Sequence, residues 1–292
     1  MQIYYIHMFE QISKKSNVEN LDMETIFLQK LGSLPDELMQ RWEDEYENLE
    51  DPENSDFFIR FNSFLENREQ ALYKNIEIAP ETPEEIVDEI ISLKENIKNE
   101  YGNPTSFLGE GRTAKVHIHP ESPNVCVKYI KDVDTYTKTD IPLYKEYVRL
   151  RELQNFSFMG VRTPTPYFEN TNGEHMYGME RIMGNTLIQI MEKPEENAEL
   201  VKLARTLDRK TVLNNLVCYV KEMHNKFKIT HGDLEVINIM LGNDGDFYVI
   251  DFGKSKYEEI GEDHELYRDN DIKKLKSAIE EFFAKIDRLD IN

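Results

Sequence analysis

Cationic side chains are scarce in this chain. Lysine and arginine number 35 against 56 aspartates and glutamates, a formal net charge of −21 at pH 7. Such a chain is repelled by nucleic acid and by anionic bilayers, which argues against either as a main partner and leaves a basic protein partner open. It also requires any phosphate-binding cleft to be locally basic against the global field. Cysteine occurs only twice, at Cys126 and Cys218. No zinc spacing is present, and both are expected as buried thiols rather than a disulfide, the first in a strand and the second in a helix. Long apolar runs are missing too. None approaches the roughly 18 residues of a membrane span, and residues 1–9 lack the basic start and long apolar core of a signal peptide. A cytoplasmic, reducing compartment is the expectation, or a host cytosol for a secreted effector. No internal repeat is visible. What is there suits a folded soluble chain: 292 residues, 39 % hydrophobic and 31 % charged, enough for about two domains.

The first hundred residues read as helical and acidic. Leu38, Trp42, Tyr46 and Leu49 recur at helical spacing behind Ser33-Leu34-Pro35-Asp36, a helix start. Residues 42–56 are strongly acidic, as a solvated face or as a docking surface for a basic partner. Phe57, Phe58, Phe61, Phe64 and Leu65 form a second apolar face with the spacing of a core stripe. Thr82-Pro83-Glu84-Glu85 offers a capping Thr, a Pro at the first position and a Glu reaching back. Ile86, Ile90, Leu93 and Ile97 then share one face, so the spacing predicts a helix over 83–101 that stops at Gly102. No motif here carries chemistry, and a helical extension over 1–103 is expected.

The chemistry gathers at residues 231–253, H-G-D-L-E-V-I-N-I-M-L-G-N-D-G-D-F-Y-V-I-D-F-G. Two short apolar runs flank a Gly/Asn/Asp turn, the pattern of a tight hairpin with polar groups at its ends. Phosphoryl transfer needs an acceptor hydroxyl held in line and metal ions against the phosphates. Asp233 can receive or orient the hydroxyl. Asn238 and Asp251 supply the hard oxygens that Mg²⁺ prefers. Upstream, Gly109-Glu110-Gly111 and Ala114, with Val116 behind, make a G-x-G-x-x-A pattern. The following K-V-H-I-H alternates like a strand, so the glycines cap a hairpin of the kind that folds over ATP phosphates rather than opening a dinucleotide helix. His117 and His119 lie two apart and are expected as exposed strand histidines, with no third ligand for a metal. Lys128 stands alone in the apolar run V-C-V-K-Y-I, where an unpaired ammonium is costly. In the next helix Glu146 lies on the side of Leu143, Tyr147, Leu150 and Leu153, and Glu152 on the other, so Glu146 is the expected partner.

These motifs together resemble the protein-kinase-like superfamily. The H-G-D form is similar to that of aminoglycoside and choline kinases and several small atypical protein kinases, with Gly232 where Arg is usual. The resemblance implies that Lys128 contacts the α- and β-phosphates and pairs with Glu146. It implies that Tyr177-Gly178-Met179-Glu180-Arg181-Ile182 is the hinge. Met179 would then guard the back of the adenine pocket, the backbone at Glu180 and Ile182 would bond adenine, and Met240 would form its floor. Two departures narrow the group. Glu235 stands where conventional Ser/Thr kinases carry a Lys against the γ-phosphate, and a carboxylate there repels phosphate unless it turns away or binds a cation. Only 39 residues follow Gly253, with no A-P-E-like segment and no room for the later peptide-docking helices. This abbreviated end resembles the minimal kinases: the KEOPS-complex kinase, RIO kinases and compact bacterial effector kinases.

The expectation is therefore an α+β, bilobal protein-kinase-like fold. Residues 104–184 would form a small antiparallel sheet lobe with the hinge, 185–292 an abbreviated helical lobe, and 1–103 a helical extension. The expected function is an atypical minimal protein kinase moving the ATP γ-phosphate to a protein hydroxyl, Ser or Thr, with Mg²⁺. A small-molecule phosphotransferase of the H-G-D type and a nucleotide-regulated pseudokinase are the alternatives. His224, at the end of a helix over 212–227, is expected to be structural.

Overall fold

The computed structural model describes residues 27–289 apart from 29, 33, 35, 50–54, 74–75, 81, 93–105, 112, 120–121, 132–142, 171–175 and 259–263. Residues 1–9, the last part of the helix expected over 83–101, and Gly102 lie outside the described residues. Among the described residues, no helix is long and apolar enough to cross a membrane. The chain divides into two compact units, residues 1–74 and 75–292.

In the first unit, helices α1 (Asp36–Glu47) and α2 (Ser55–Tyr73) carry the expected apolar faces. Leu38 and Trp42 from α1 are buried with Phe57, Phe58, Phe61 and Phe64 from α2 around Phe27. Trp42 meets Phe57, Phe61 and Phe64 with ring centroids 5.1–5.7 Å apart, at angles from tilted to edge-on, the preferred contact of rings with opposed face and edge charge.

The second unit begins with β1 (Ile76–Ile78) and α3 (Glu84–Ser92), segments that the spacing alone placed in the helical extension. Strand β1 pairs antiparallel with a later strand through Ile78 and Phe168, and Ile76 and Ile78 point inward while Glu77 does not. The Thr82 hydroxyl donates to the Tyr167 carbonyl at 2.9 Å and so ties the helix start to the sheet. Strands β2 (Phe107–Glu110), β3 (Ala114–Ile118) and β4 (Val125–Ile130) follow, then α4 (Leu143–Leu153). Next come β5 (Val161–Arg162), β6 (Pro166–Asn170) and β7 (Met176–Glu180). The main sheet is six-stranded and antiparallel, in the order β1-β6-β7-β4-β3-β2, and α4 packs beside β6 and β7.

The rest is mostly helical. Strand β8 (Gly184–Thr186) leads into α5 (Leu187–Glu192) through a capping box in which Thr186 and Gln189 satisfy each other's amides. Helices α6 (Ala198–Thr206) and α7 (Arg209–Glu222) follow, and Asp208 caps α7 through the Thr211 amide at 2.8 Å. A π-helical turn over Met223–Phe227 ends at Lys228, whose φ is 57°. Strand β9 (Ile229–Thr230) pairs with β12 (Lys256–Tyr257), and β10 (Ile239–Gly242) with β11 (Phe247–Val249). The last helix is α8 (His264–Asp287). Its Leu275, Ile279, Phe282, Phe283 and Ile286 are buried with Leu216, Tyr219 and Val220 of α7 in one core. The fold is α+β, as the motifs implied.

Two expectations are corrected. Cys218 is exposed while Cys126 is buried, and both are free thiols. His117 and His119 are buried rather than exposed, 5 % and 1 % accessible. His117 shares hydrogen bonds with Ser106 and Tyr129, and His119 meets Phe168 edge-on. The sheet face that carries them is covered, so alternation along the strand did not lead outward to water.

Candidate active site

The π-helical turn and β9 deliver His231-Gly232-Asp233 to one end of the long helix α8. His231 is fully buried. Its Nε2 lies 3.0 Å from the Ile250 carbonyl and its Nδ1 accepts from the Asp233 amide at 3.3 Å, a neutral imidazole locked in one tautomer. Burial holds its pKa below the ordinary value. Asp271 on α8 organises the loop from beneath. Its Oδ2 accepts from the His231 amide at 2.7 Å and lies 3.0 Å from His224 Nε2, while Oδ1 accepts from the Gly232 amide at 2.8 Å. The sequence reading missed Asp271, one more acid in an acidic run; its one signal is its place one residue before the apolar face of α8. His224 is structural, as expected.

Gly232 has a φ of 80°, and a Cβ there would stand 2.6 Å from the Lys254 carbonyl oxygen. Glycine is thus needed both for the left-handed conformation and for the close approach of the two backbones. That approach brings Lys254 to Asp233. Lys254 Nζ donates to Asp233 Oδ2 at 2.8 Å, and Lys274 Nζ, from α8, to Asp233 Oδ1 at 3.2 Å. Lys274 also bonds Glu235 at 2.9 Å. Partial burial would raise the Asp233 carboxyl, but hydrogen bonds and charge from the two lysines outweigh it and hold the pKa below the ordinary range. Asn238 Nδ2 donates to the Asp233 carbonyl at 2.8 Å, which turns the amide oxygen of Asn238 away from Asp233.

Across from this loop, Lys128 is buried on β4 and bonds both oxygens of Glu146, at 2.8 and 2.9 Å. Glu152, the alternative, instead accepts from Tyr257 at 2.8 Å. Lys128 also reaches Asp251 Oδ1 at 2.9 Å, and the Phe252 amide donates to Glu146 at 3.1 Å. One Lys–Glu pair thus links the sheet, α4 and the D-F-G turn. Burial would lower the Lys128 pKa, but Asp251 and Glu146 outweigh it and raise it. Burial raises Glu146, against the pull of Lys128. The charge of Lys128 lowers Asp251 to about 2. Asp251 has a φ of 63°, a left-handed conformation that re-aims its side chain.

The glycine hairpin forms as read. Gly111 N donates to Ala114 O at 2.9 Å, Glu110 opposes Lys115, and Gly109 opposes Val116. Register puts Val116 opposite Lys128, and Cys126 opposite Met179. Facing residues share a side of a sheet, as do residues two apart, so Val116, Cys126, Lys128 and Met179 line one face. Cys126 shares this face with Lys128, which sequence reasoning did not note, although its place two before Lys128 gives its face away. Its thiol donates to the Glu180 carbonyl at 3.6 Å, and burial pushes its pKa up to about 12. The Glu180 amide donates to Thr165 O at 2.7 Å, which leaves only the carbonyl of its backbone for a ligand. The Glu180 side chain is held by Arg162 at 2.5 and 2.7 Å. Ile182 follows in the irregular link to β8, and Met240 lies on β10 opposite Thr186 and Tyr248.

Among the described residues, no three His, Cys, Asp or Glu side chains cluster as a metal cage. The donor set of Asp251 and Asn238, one carboxylate and one amide oxygen, fits Mg²⁺, which takes few protein ligands and completes its shell with water and phosphate.

A sheet lobe carrying a Lys–Glu pair, joined at a D-F-G turn to an H-x-D loop five residues before an Asn, defines the chain as protein-kinase-like. A family model for the RIO domain matches residues 139–290, just over half the chain. The chain belongs to the RIO family, an atypical protein-kinase-like family. The match covers Glu146, the 231–253 stretch, Asp271 and Lys274, and begins downstream of Lys128. Over 109 residues the chain is 36 % identical to an uncharacterised protein of Dictyostelium discoideum; the aligned part is 37 % of this chain and 11 % of that much longer protein.

Proposed function

We propose that this chain is a Mg-ATP-dependent phosphotransferase whose acceptor is a protein hydroxyl, serine or threonine. The observation that carries the reading is Lys128, bonded at once to Glu146 and Asp251. A strand lysine tied to a helix glutamate, within reach of the D-F-G carboxylate, is what phosphate clamping and cation placement require together.

In this reading Asp233 orients the acceptor hydroxyl and takes its proton as the bond to phosphorus forms. Its lowered pKa keeps it ionised at neutral pH, so it can accept. Asn238 and Asp251 would hold Mg²⁺, which supplies charge neutralisation at the phosphates. Lys128 clamps phosphate oxygens and Glu146 orients it. The hairpin at Gly109, Glu110, Gly111 and Ala114 covers the phosphates; a Cβ at Gly109 or Gly111 would meet nothing in the chain within 4 Å, so internal crowding does not explain the glycines. Val116, Cys126, Met179 and Met240 enclose adenine, whose edge bonds the Glu180 carbonyl and the backbone of Ile182. The acceleration comes from positioning and fixed charge. The partners are ATP and a protein substrate, and the free thiols suit a reducing cytoplasm. Glu235 does not tell against catalysis, because Lys274 bonds it at 2.9 Å.

Intact-mass measurement of the purified chain after incubation with Mg-ATP, beside Asp233→Ala, tests the reading. A phosphate-sized gain in the wild type alone is expected. An AMP-sized gain would replace it with nucleotidyl transfer. No gain, together with no ATP consumption in the presence of protein acceptors, would overturn it.

A further inference from the structure

The roles above leave three charged side chains around Asp233 unused: Lys254, Lys274 and Glu235. The two lysines differ in how they are held. Lys274 Nζ is fixed by the catalytic loop at three points, the Gly232 carbonyl at 3.4 Å, Asp233 at 3.2 Å and Glu235 at 2.9 Å. Lys254 bonds Asp233 Oδ2 at 2.8 Å, and its side chain is 51 % exposed. Its backbone reaches the loop only because residue 232 has no Cβ.

We propose that Lys254 is a catalytic residue that contacts the transferred phosphoryl group, and that Lys274 is a positioning residue that neutralises Glu235 and holds Asp233. The proposal rests on the phosphotransferase reading. The position two residues after the catalytic aspartate, where conventional kinases carry a lysine, holds Glu235. Its charge is therefore inverted, and the cation that balances the phosphoryl oxygens must come from elsewhere in the fold. Lys254 is placed for this, three residues after Asp251 and bonded to Asp233. Lys274, caught between two carboxylates and a carbonyl, is not free to move.

During transfer the acceptor oxygen bonds to the γ-phosphorus as the bond from that phosphorus to the bridging oxygen breaks. The electron pair leaves with ADP, and the hydroxyl proton passes to Asp233. Gly232, Lys254, Lys274 and Glu235 thus form one device.

The test combines turnover with nucleotide binding in the full chain. For Lys254→Met, kcat should fall about 100-fold, as for loss of one charge-stabilising donor, and KM for ATP should rise roughly tenfold, in step with the analogue below. A β,γ-imido analogue of ATP should bind Lys254→Met roughly tenfold more weakly while ADP binding stays unchanged, since one charge-assisted contact is lost. Lys254→Arg should keep part of the activity. Lys274→Met should lower kcat about tenfold, and adding Glu235→Gln should restore most of it by removing the carboxylate left unpaired. Lys276→Met, exposed on the same helix, should leave activity unchanged. A Lys254→Met protein with kcat within threefold of wild type, or with both nucleotides weakened equally, would overturn the proposal while leaving the phosphotransferase reading intact. A wild type that binds Mg-ATP but transfers no phosphate would sink that reading, and the comparison of imido analogue with ADP would still decide where the Lys254 charge acts.

Discussion

The carboxylate of Asp271 accepts the backbone amide of Gly232 at 2.8 Å across 39 residues of sequence. With the His231 amide on its other oxygen, one buried side chain satisfies two consecutive amides of the H-G-D loop. Asp271→Ala leaves both without a buried partner, at about 1–3 kcal/mol each. We expect a lower urea midpoint, a loss of kcat of about 100-fold or more, and a smaller change in nucleotide affinity. Unchanged kcat in Asp271→Ala would show that the loop holds its shape alone.

Gly232→Ala tests the close approach of the two backbones. A left-handed φ costs a residue with a Cβ about 1–2 kcal/mol, and the clash with the Lys254 carbonyl adds to it. The variant should fold with a lowered Tm and should lose activity beyond what its residual stability explains, because Lys254 is pushed from Asp233. Equal activity in wild type and variant would remove the reason offered for glycine.

Lys128 and Glu146 form a buried pair, and each should be worse alone than both absent. Lys128→Met strands a buried carboxylate, at about 3–5 kcal/mol for a broken buried pair. The double change Lys128→Met with Glu146→Leu should recover part of that stability and none of the activity. Chemical denaturation of the three proteins, with turnover alongside, separates the structural from the catalytic share.

His119 should make stability fall with acid. Burial lowers its pKa to about 4, and neither ring nitrogen has a hydrogen-bond partner among the described residues. The unfolded chain takes the proton near pH 6.5 and the folded chain only near pH 4, so stability is lost as pH falls through that window. At pH 5 the loss approaches about 2 kcal/mol. The gap between urea midpoints at pH 7 and pH 5 should be smaller in His119→Leu than in the wild type, the remainder coming from His117 and His231, which burial also lowers. The depressed carboxyls of Asp233 and Asp251 act lower, both favouring the fold above their ordinary range and losing that effect in acid, Asp251 as pH falls toward about 2.

What was legible in the sequence was what periodicity and local motifs carry. Asp233, Asn238 and Asp251 share one continuous stretch, and helical geometry alone chose Glu146 over Glu152. The illegible parts depend on which elements meet. Asp271 and Lys274 look like ordinary charges until α8 lies under the loop, and Lys254 is one more lysine until Gly232 admits it. Strand β1 has three residues, too few for a pattern. Cys218 was read as buried because its helix is, yet it stands about 200° around the axis from Leu216, on the other side of the helix. His117 and His119 were read as exposed because alternation assigns a side of the sheet without saying what covers it.

The dependence of the loop on α8 also orders events at the ribosome. Residues 231–253 are synthesised before Asp271 and Lys274, so a nascent chain exposes its H-G-D segment while the amides of His231 and Gly232 still bond water. The H-G-D loop therefore cannot take its final shape until α8 has been made, so the last-made helix completes a segment that precedes it.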